Sequence, residues 1–238
     1  MIRFDAVYKR YAGARGREAW VLEDLNVRID AGEMVFLLGA SGVGKSTLLK
    51  LITLEERPTR GRVAVRPYDS TAIRRREIPY LRRRCGVVYQ DFRLIRDKTV
   101  EENVAYPLRM SGILNPDILR QEVWRALNRV GIFAKRNEIP ENLSGGEQQR
   151  TAIARALVHQ PPILLADEPT GNLDPEMGNE ILQILRGVNL AGATVIVATH
   201  DQDLAERFGE RILLLEGGRV RSDRRIRGPI RVEREEAS

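Results

Sequence analysis

The sequence predicts an α/β fold with a mainly parallel sheet, an N-terminal antiparallel β portion and an inserted α-helical subdomain. Three observations carry this. Up to about residue 65 the chain consists of short β-rich runs separated by Gly, Pro or Asp. Residues 99–140 place apolar side chains at helical spacing. From residue 144 onward, apolar strand-length runs alternate with helix patterns, the order expected of a parallel sheet whose ligands bind at the carboxyl ends of its strands.

In the first part, residues 2–8, 21–29, 34–38 and 62–66 read as strands, and residues 86–89 as a further buried one. Asn115-Pro116 opens a helix along which Leu119, Val123, Leu127 and Val130 recur. A helix from residue 144 runs to about Val158 and stops before Pro161-Pro162. Residues 163–166 form a strand, and Asp174-Pro175 caps a helix through Ile181 and Leu185. Residues 194–198 form another strand, Asp201 caps the helix after it, and 212–220 reads as a hairpin. The expected layout is one domain over 1–222, with the helical subdomain at about 95–160, and a basic, flexible tail over 223–238.

The chain of 238 residues can build one large domain or a core with a small insertion. A hydrophobic content of 42% with only 5% aromatic suits an aliphatic core. The single cysteine, Cys85, rules out an internal disulfide and points to a reducing compartment. It reads as a small buried apolar residue rather than a reactive thiol. Residues 1–5 lack the apolar segment of a signal peptide, and no apolar run approaches the roughly 20 residues that span a bilayer. The expectation is a soluble chain that reaches a membrane only through a partner or surface contact.

Net charge is +6. One basic cluster, Arg74-Arg75-Arg76 with Arg82-Arg83-Arg84, has no interleaved aromatic platform and reads as a solvated face, so no nucleic-acid partner is expected. The other runs through Arg219, Arg221, Arg224, Arg225, Arg227, Arg231 and Arg234. It stands open between disorder and weak contact with anionic lipid.

The chemistry concentrates in four places. Gly39-Ala40-Ser41-Gly42-Val43-Gly44-Lys45-Ser46 is a complete Gly-x-x-x-x-Gly-Lys-Ser phosphate loop, preceded by an apolar strand and followed by a helix opening at Thr47. Its glycines let successive N–H groups face one anion, Lys45 reaches the β- and γ-phosphates, and Ser46 holds Mg²⁺. Asp167-Glu168 directly follows the strand at 163–166, on the sheet edge that also carries the phosphate loop. There Asp167 can hold Mg²⁺ through Ser46, and Glu168 can orient or deprotonate an attacking water. Pro169 biases Glu168 towards an extended backbone. His200 ends a buried strand and can reach a γ-phosphate and the water, whereas His159 reads as structural. Ser144-Gly145-Gly146-Glu147 combines a Ser-x-x-Glu capping box with two glycines a cap does not need. Those glycines read as access for a second anion to a helix N-terminus.

Together and in this order, these motifs on a phosphate-loop nucleoside-triphosphatase (P-loop NTPase) core resemble the nucleotide-binding subunit of ABC ATPases. The resemblance spans nearly the whole chain. It implies ATP and Mg²⁺ as ligands and assigns roles to further residues. Gln90 matches the Q-loop, which serves the metal and the catalytic centre. Asn172-Leu173-Asp174 matches the D-loop, and Tyr11 falls where an aromatic stacks on adenine. It also implies a head-to-tail dimer of two copies, in which Ser144 and Gly146 of one serve the γ-phosphate held by the other. The sequences 143–150, 165–174 and 198–201 are similar to the branch that contains cell-division ATPases of the FtsE type and the ATPases of lipoprotein-release and macrolide-export systems. Residues 1–4, 55–59 and 90–94 look most like the FtsE type. That branch implies an integral membrane partner resembling FtsX, a peripheral location on the cytoplasmic face of the bacterial inner membrane, and control of cell-wall hydrolysis. The alternatives are an ATPase of a lipoprotein-release or macrolide-export transporter, and a soluble ABC protein outside transport.

Overall fold

A computed structural model describes residues 1–12 and 18–226. Along the chain run β1 (Ile2–Ala12), β2 (Glu18–Ile29), β3 (Met34–Leu38), α1 (Lys45–Ile52), β4 (Arg60–Val65), β5 (Tyr68–Asp69), α2 (Ile78–Arg83) and β6 (Cys85–Val88). There follow α3 (Val100–Met110), α4 (Pro116–Arg129), α5 (Gly145–Leu157), β7 (Ile163–Asp167), α6 (Pro175–Leu190), β8 (Thr194–Thr199), α7 (Gln202–Phe208), β9 (Arg211–Glu216) and β10 (Arg219–Arg225).

Two sheets form. The smaller is antiparallel, in the order β2-β1-β4-β5. The larger has six strands in the order β10-β9-β3-β8-β7-β6, parallel except for β10 on its edge. Successive side chains of a strand point to opposite faces, and here each face has its own core. Met34, Phe36 and Leu38 of β3 pack in one cluster with Val104 of α3, Leu127 of α4, Ile153 of α5 and Leu182 of α6. Val35 and Leu37 pack in the other, with Leu48 and Leu51 of α1 and with Phe4, Leu25 and Val63 of the antiparallel sheet. Cover on both faces is why these strands read as unbroken apolar runs.

The insertion contains two helices where the sequence pattern had marked one. Thr99 caps α3 through a reciprocal box, Glu102 N–H to Thr99 Oγ1 at 3.2 Å and Thr99 N–H to Glu102 Oε2 at 2.9 Å. Asn115 caps α4, with Pro116 at its first position. Both helices pack against α5 under one core. Among the described residues no helix is long and apolar enough to cross a membrane.

At the C-terminus the sheet continues to Arg225, inside the segment expected to be tail. Gly217 and Gly218, with φ of 52° and 75°, make the tight turn from β9 into β10. Arg211 secures the pairing. Its guanidinium is nearly buried and donates to both Asp223 carboxylate oxygens at 2.7 Å, to Glu33 Oε2 at 2.8 Å and to the Arg28 carbonyl at 2.8 Å. Arg219 pairs with Glu23 and Arg224 with Glu206. The first part of the basic run therefore serves the fold. Residues 227–238, with Arg227, Arg231 and Arg234, lie outside the described residues, as do 13–17.

Arg211→Met should destabilise the domain by roughly 2 kcal/mol, read from the denaturation midpoint, because it strips a charged donor fork from two carboxylates. Asp223 adds a pH signature. Hydrogen bonds from Arg211 hold its carboxyl below the usual range. The stability this supplies is complete above the unfolded-state value of about 4 and is lost as pH falls through the lower folded value. Wild type should therefore exceed Asp223→Asn in stability at neutral pH, and the gap should close on acid titration. A gap independent of pH would refute the pairing.

Candidate active site

The parallel strands β3, β8 and β7 end level with one another. Leu38 pairs with Thr199, and Ala198 with Asp167. The register continues past the strands, Gly39 N–H bonding Thr199 O at 3.3 Å and Glu168 N–H bonding Ala198 O at 2.9 Å. The loop after β3, the Asp167-Glu168 pair and His200 thereby meet at one carboxyl edge, the place where such sheets bind ligands.

In the phosphate loop Gly39 and Gly44 leave no space for a side chain, and Gly42 has φ of 79°. Gly44 has φ of 112°, and a Cβ there would lie 2.9 Å from Leu22 Cδ2 and 3.0 Å from Val21 O. Gly39 has no room either, since a Cβ would sit 2.5 Å from Leu215 O. Gly44 is also the N-cap of α1 and provides no side-chain cap, so the first-turn N–H groups around Ser46 and Thr47 are free to meet an anion.

Lys45 is buried. Its ammonium donates to Gly39 O at 2.7 Å and Ala40 O at 3.1 Å, and lies 3.1 Å from Glu168 Oε1. The other carboxylate oxygen of Glu168 is 3.0 Å from His200 Nδ1. Lys45, Glu168 and His200 thus form one chain of contacts. Glu168 has φ of 46°, a left-handed backbone rather than the extended one that Pro169 favours locally. The bond to Ala198 O, the turn closed by Gly171 N–H on Glu168 O at 3.1 Å, and the two side-chain contacts together outweigh that preference.

Asp167 and Ser46 line the cleft together. Burial pushes the Asp167 carboxyl above the usual range, and the Ser46 hydroxyl opposes the shift. Its Oδ1 is buried with no hydrogen-bond partner. A buried, partnerless carboxylate oxygen next to a hydroxyl suits a hard, oxygen-seeking cation. Among the described residues no group of three or more His, Cys, Asp or Glu could hold an ion by itself, so such a cation would draw other oxygens from a bound phosphate. Ser46 and Asp167 fit Mg²⁺ in this sense. Gln90 lines the same cleft of about 470 Å³, with Lys50, Tyr89, Asp91, Arg93 and Asn172, and Asn172 Nδ2 donates to Gln90 O at 3.0 Å.

Tyr11, at the end of β1, brings its hydroxyl within 3.5 Å of Thr47 Oγ1 at the start of α1. Ser144 to Glu147 lie elsewhere, at the N-terminus of α5, and do not line the cleft. Ser144 Oγ accepts from Glu147 N–H at 3.3 Å, and Glu147 Oε2 accepts from Ser144 N–H at 2.8 Å. The two glycines stand in different surroundings. A Cβ on Gly146 would meet the flexible Met177 thioether of α6, which would have to shift. Gly145 has only an ordinary contact, Leu173 Cδ2 at 3.4 Å. Asp174 Oδ1 is committed to capping α6 through Met177 N–H at 2.9 Å. Burial pushes the Cys85 thiol up to about 12, as for an inert core residue, and His159 lies 3.5 Å from Ser111 Oγ. Sequence reading missed Tyr89 and Arg93 as lining of the cleft, on either side of Gln90.

The ABC transporter family matches residues 22–171. The chain belongs to the ABC transporter ATPase family. The cell division ATP-binding protein FtsE of Mycobacterium tuberculosis is 47% identical over 223 residues, covering 94% of this chain and 95% of that protein. FtsE of Escherichia coli K12 is 48% identical over 220 residues, covering 92% and 97%. FtsE of Bacillus subtilis is 41% identical over 223 residues. Among solved structures, a dimeric ATP-binding cassette in a post-hydrolysis state bound to ADP and phosphate superposes with a TM-score of 0.87 at 38% identity, covering 96% of this chain and all of that one. A second dimeric structure of the same cassette, described as a bacterial ABC transporter cassette, gives 0.87 at 39% identity. As an ABC ATPase the chain binds ATP and hydrolyses it to ADP and phosphate.

Lys45→Ala removes the one ammonium in the phosphate loop of this ABC ATPase. ATP affinity, titrated by fluorescence, should fall on the order of 100-fold or more. Native affinity in that variant would contradict the loop assignment.

Proposed function

We propose that this chain is the ATPase subunit of an FtsE–FtsX-like membrane complex acting in cell division. ATP-driven pairing of two copies would be transmitted to an integral membrane partner that controls cell-wall hydrolysis. The observation that carries this reading is the 41–48% identity to FtsE proteins over at least nine-tenths of the chain. With no membrane-crossing helix among the described residues, attachment to the cytoplasmic face of the inner membrane falls to that partner.

The geometry supports a division of labour within the site. The phosphate-loop amides and Lys45 bind the β- and γ-phosphates. Ser46 and Asp167, with Gln90 at the cleft, hold Mg²⁺, which when bound neutralises charge on the phosphate oxygens. Glu168 orients and deprotonates the attacking water. An ionised Glu168 only accepts, so His200 donates to it from Nδ1, and serving a γ-phosphate oxygen as well requires a second N–H, on Nε2. Tyr11 stacks on adenine. Ser144 and Gly146, away from the chain's own cleft, complete the site of a second copy placed head to tail, and Asp174 at the D-loop borders that junction.

Affinity capture from membranes with the full chain as bait tests the cellular role. An FtsX-like protein is the expected catch, and a solute-channel permease in its place would reject the division reading. Glu168→Gln keeps the side-chain volume but removes the proton acceptor. It should still bind ATP, lose at least about 100-fold in turnover, and accumulate as a dimer by light scattering. Adding Ser144→Arg to it should abolish that dimer while ATP still binds the monomer. Persistence of the dimer would sink the shared-site arrangement.

A further inference from the structure

Lys9 carries an ammonium that is buried within the antiparallel sheet, the residue being only 9% exposed. An ammonium has three N–H donors. Two oxygens meet it, Glu56 Oε2 at 2.7 Å and Arg57 O at 3.0 Å. On a further side it faces the ring of Tyr11, 4.7 Å from the centroid. The two residues alternate along β1 and so share a side of the strand. Glu56 and Arg57 follow α1, and Arg57 is itself tied down by donating to Ser70 O at 2.8 Å. Tyr11 is therefore held at two points. Its hydroxyl lies by Thr47 at the start of α1, and one ring face rests on a fixed cation. The stretch 55–59, distinctive in the sequence, gains a local task in this arrangement.

We propose that Lys9, clamped by Glu56 and the Arg57 carbonyl, is a positioning residue for the adenine base. It fixes the plane of Tyr11 before the base arrives and leaves the opposite ring face for stacking. This rests on the reading of Tyr11 as the adenine-stacking residue. A ring already immobilised loses little rotamer freedom on binding, and the cation–π contact holds it without occupying the face the base needs. Lys9 touches no part of the nucleotide in this scheme and acts only through Tyr11.

The test compares ATP with inorganic tripolyphosphate, which carries the anion but no base, on the full-length chain. Lys9→Met should weaken ATP binding roughly 3- to 10-fold and leave tripolyphosphate affinity unchanged. In a Tyr11→Ala background the same change should have no further effect on ATP. Parallel losses for both ligands would mean a merely structural role, and unchanged or tighter ATP binding would place Lys9 outside base recognition; either overturns the proposal. Tyr11→Ala binding ATP like wild type would instead remove the stacking reading itself. Lys9→Gln serves if Lys9→Met does not fold, and tripolyphosphate binding reports that the loop is intact.

Discussion

The level ending of β3, β8 and β7 is the constraint on which the rest depends. Leu38 opposite Thr199, and Ala198 opposite Asp167, bring three chain segments far apart in sequence to a common edge. A slip of one residue in any of these strands would send its alternate side chains to the wrong core. Val35 and Leu37 would face the helices, and Phe36 would face α1 and the antiparallel sheet. The two cores therefore enforce the alignment of the catalytic groups. Packing far from the chemistry decides whether Lys45 and Glu168 can meet.

What was legible in the sequence follows from the same physics. Strands covered on both faces announce themselves as apolar runs, and the phosphate loop as a fixed spacing of Gly, Lys and Ser. Caps at Asn115, Ser144, Asp174 and Asp201 were readable because each is a local hydrogen bond between near neighbours. The extension of β10 beyond the expected hairpin escaped because it is almost wholly exposed and largely charged, and its place depends on Arg211 reaching Asp223 and Glu33. α2 is a single short helix within an arginine-rich stretch and has no periodicity to show. At the site, the identities of Lys45, Asp167, Glu168 and His200 were legible, but the backbone of Glu168 was not. Its conformation comes largely from contacts with residues 30 and more positions away, added to the local turn closed by Gly171. The same is true of the surroundings of Gly146, which Met177 on another helix supplies.

The helical insertion and the core are joined where that contact occurs. The start of α5 rests against the start of α6, and each is capped by a side chain of its own, Ser144 and Asp174. Asn172, just before that second cap, reaches back to the Gln90 backbone. The surface proposed to meet a second copy is thus held by bonds complete within one chain, rather than by a loop that must be ordered by its partner.

The contact of Lys45 with Glu168 has a consequence for idling. The two charges neutralise each other at the sheet edge, and His200 engages the remaining carboxylate oxygen. A phosphate arriving beside Lys45 enters as a competitor for a cation already matched, so its binding is an exchange of anions rather than the rescue of a lone charge. The carboxylate displaced in that exchange is the group proposed to take a proton from water. Access of the fuel and release of the base become one event, a safeguard against unproductive turnover that uses only a lysine and a glutamate.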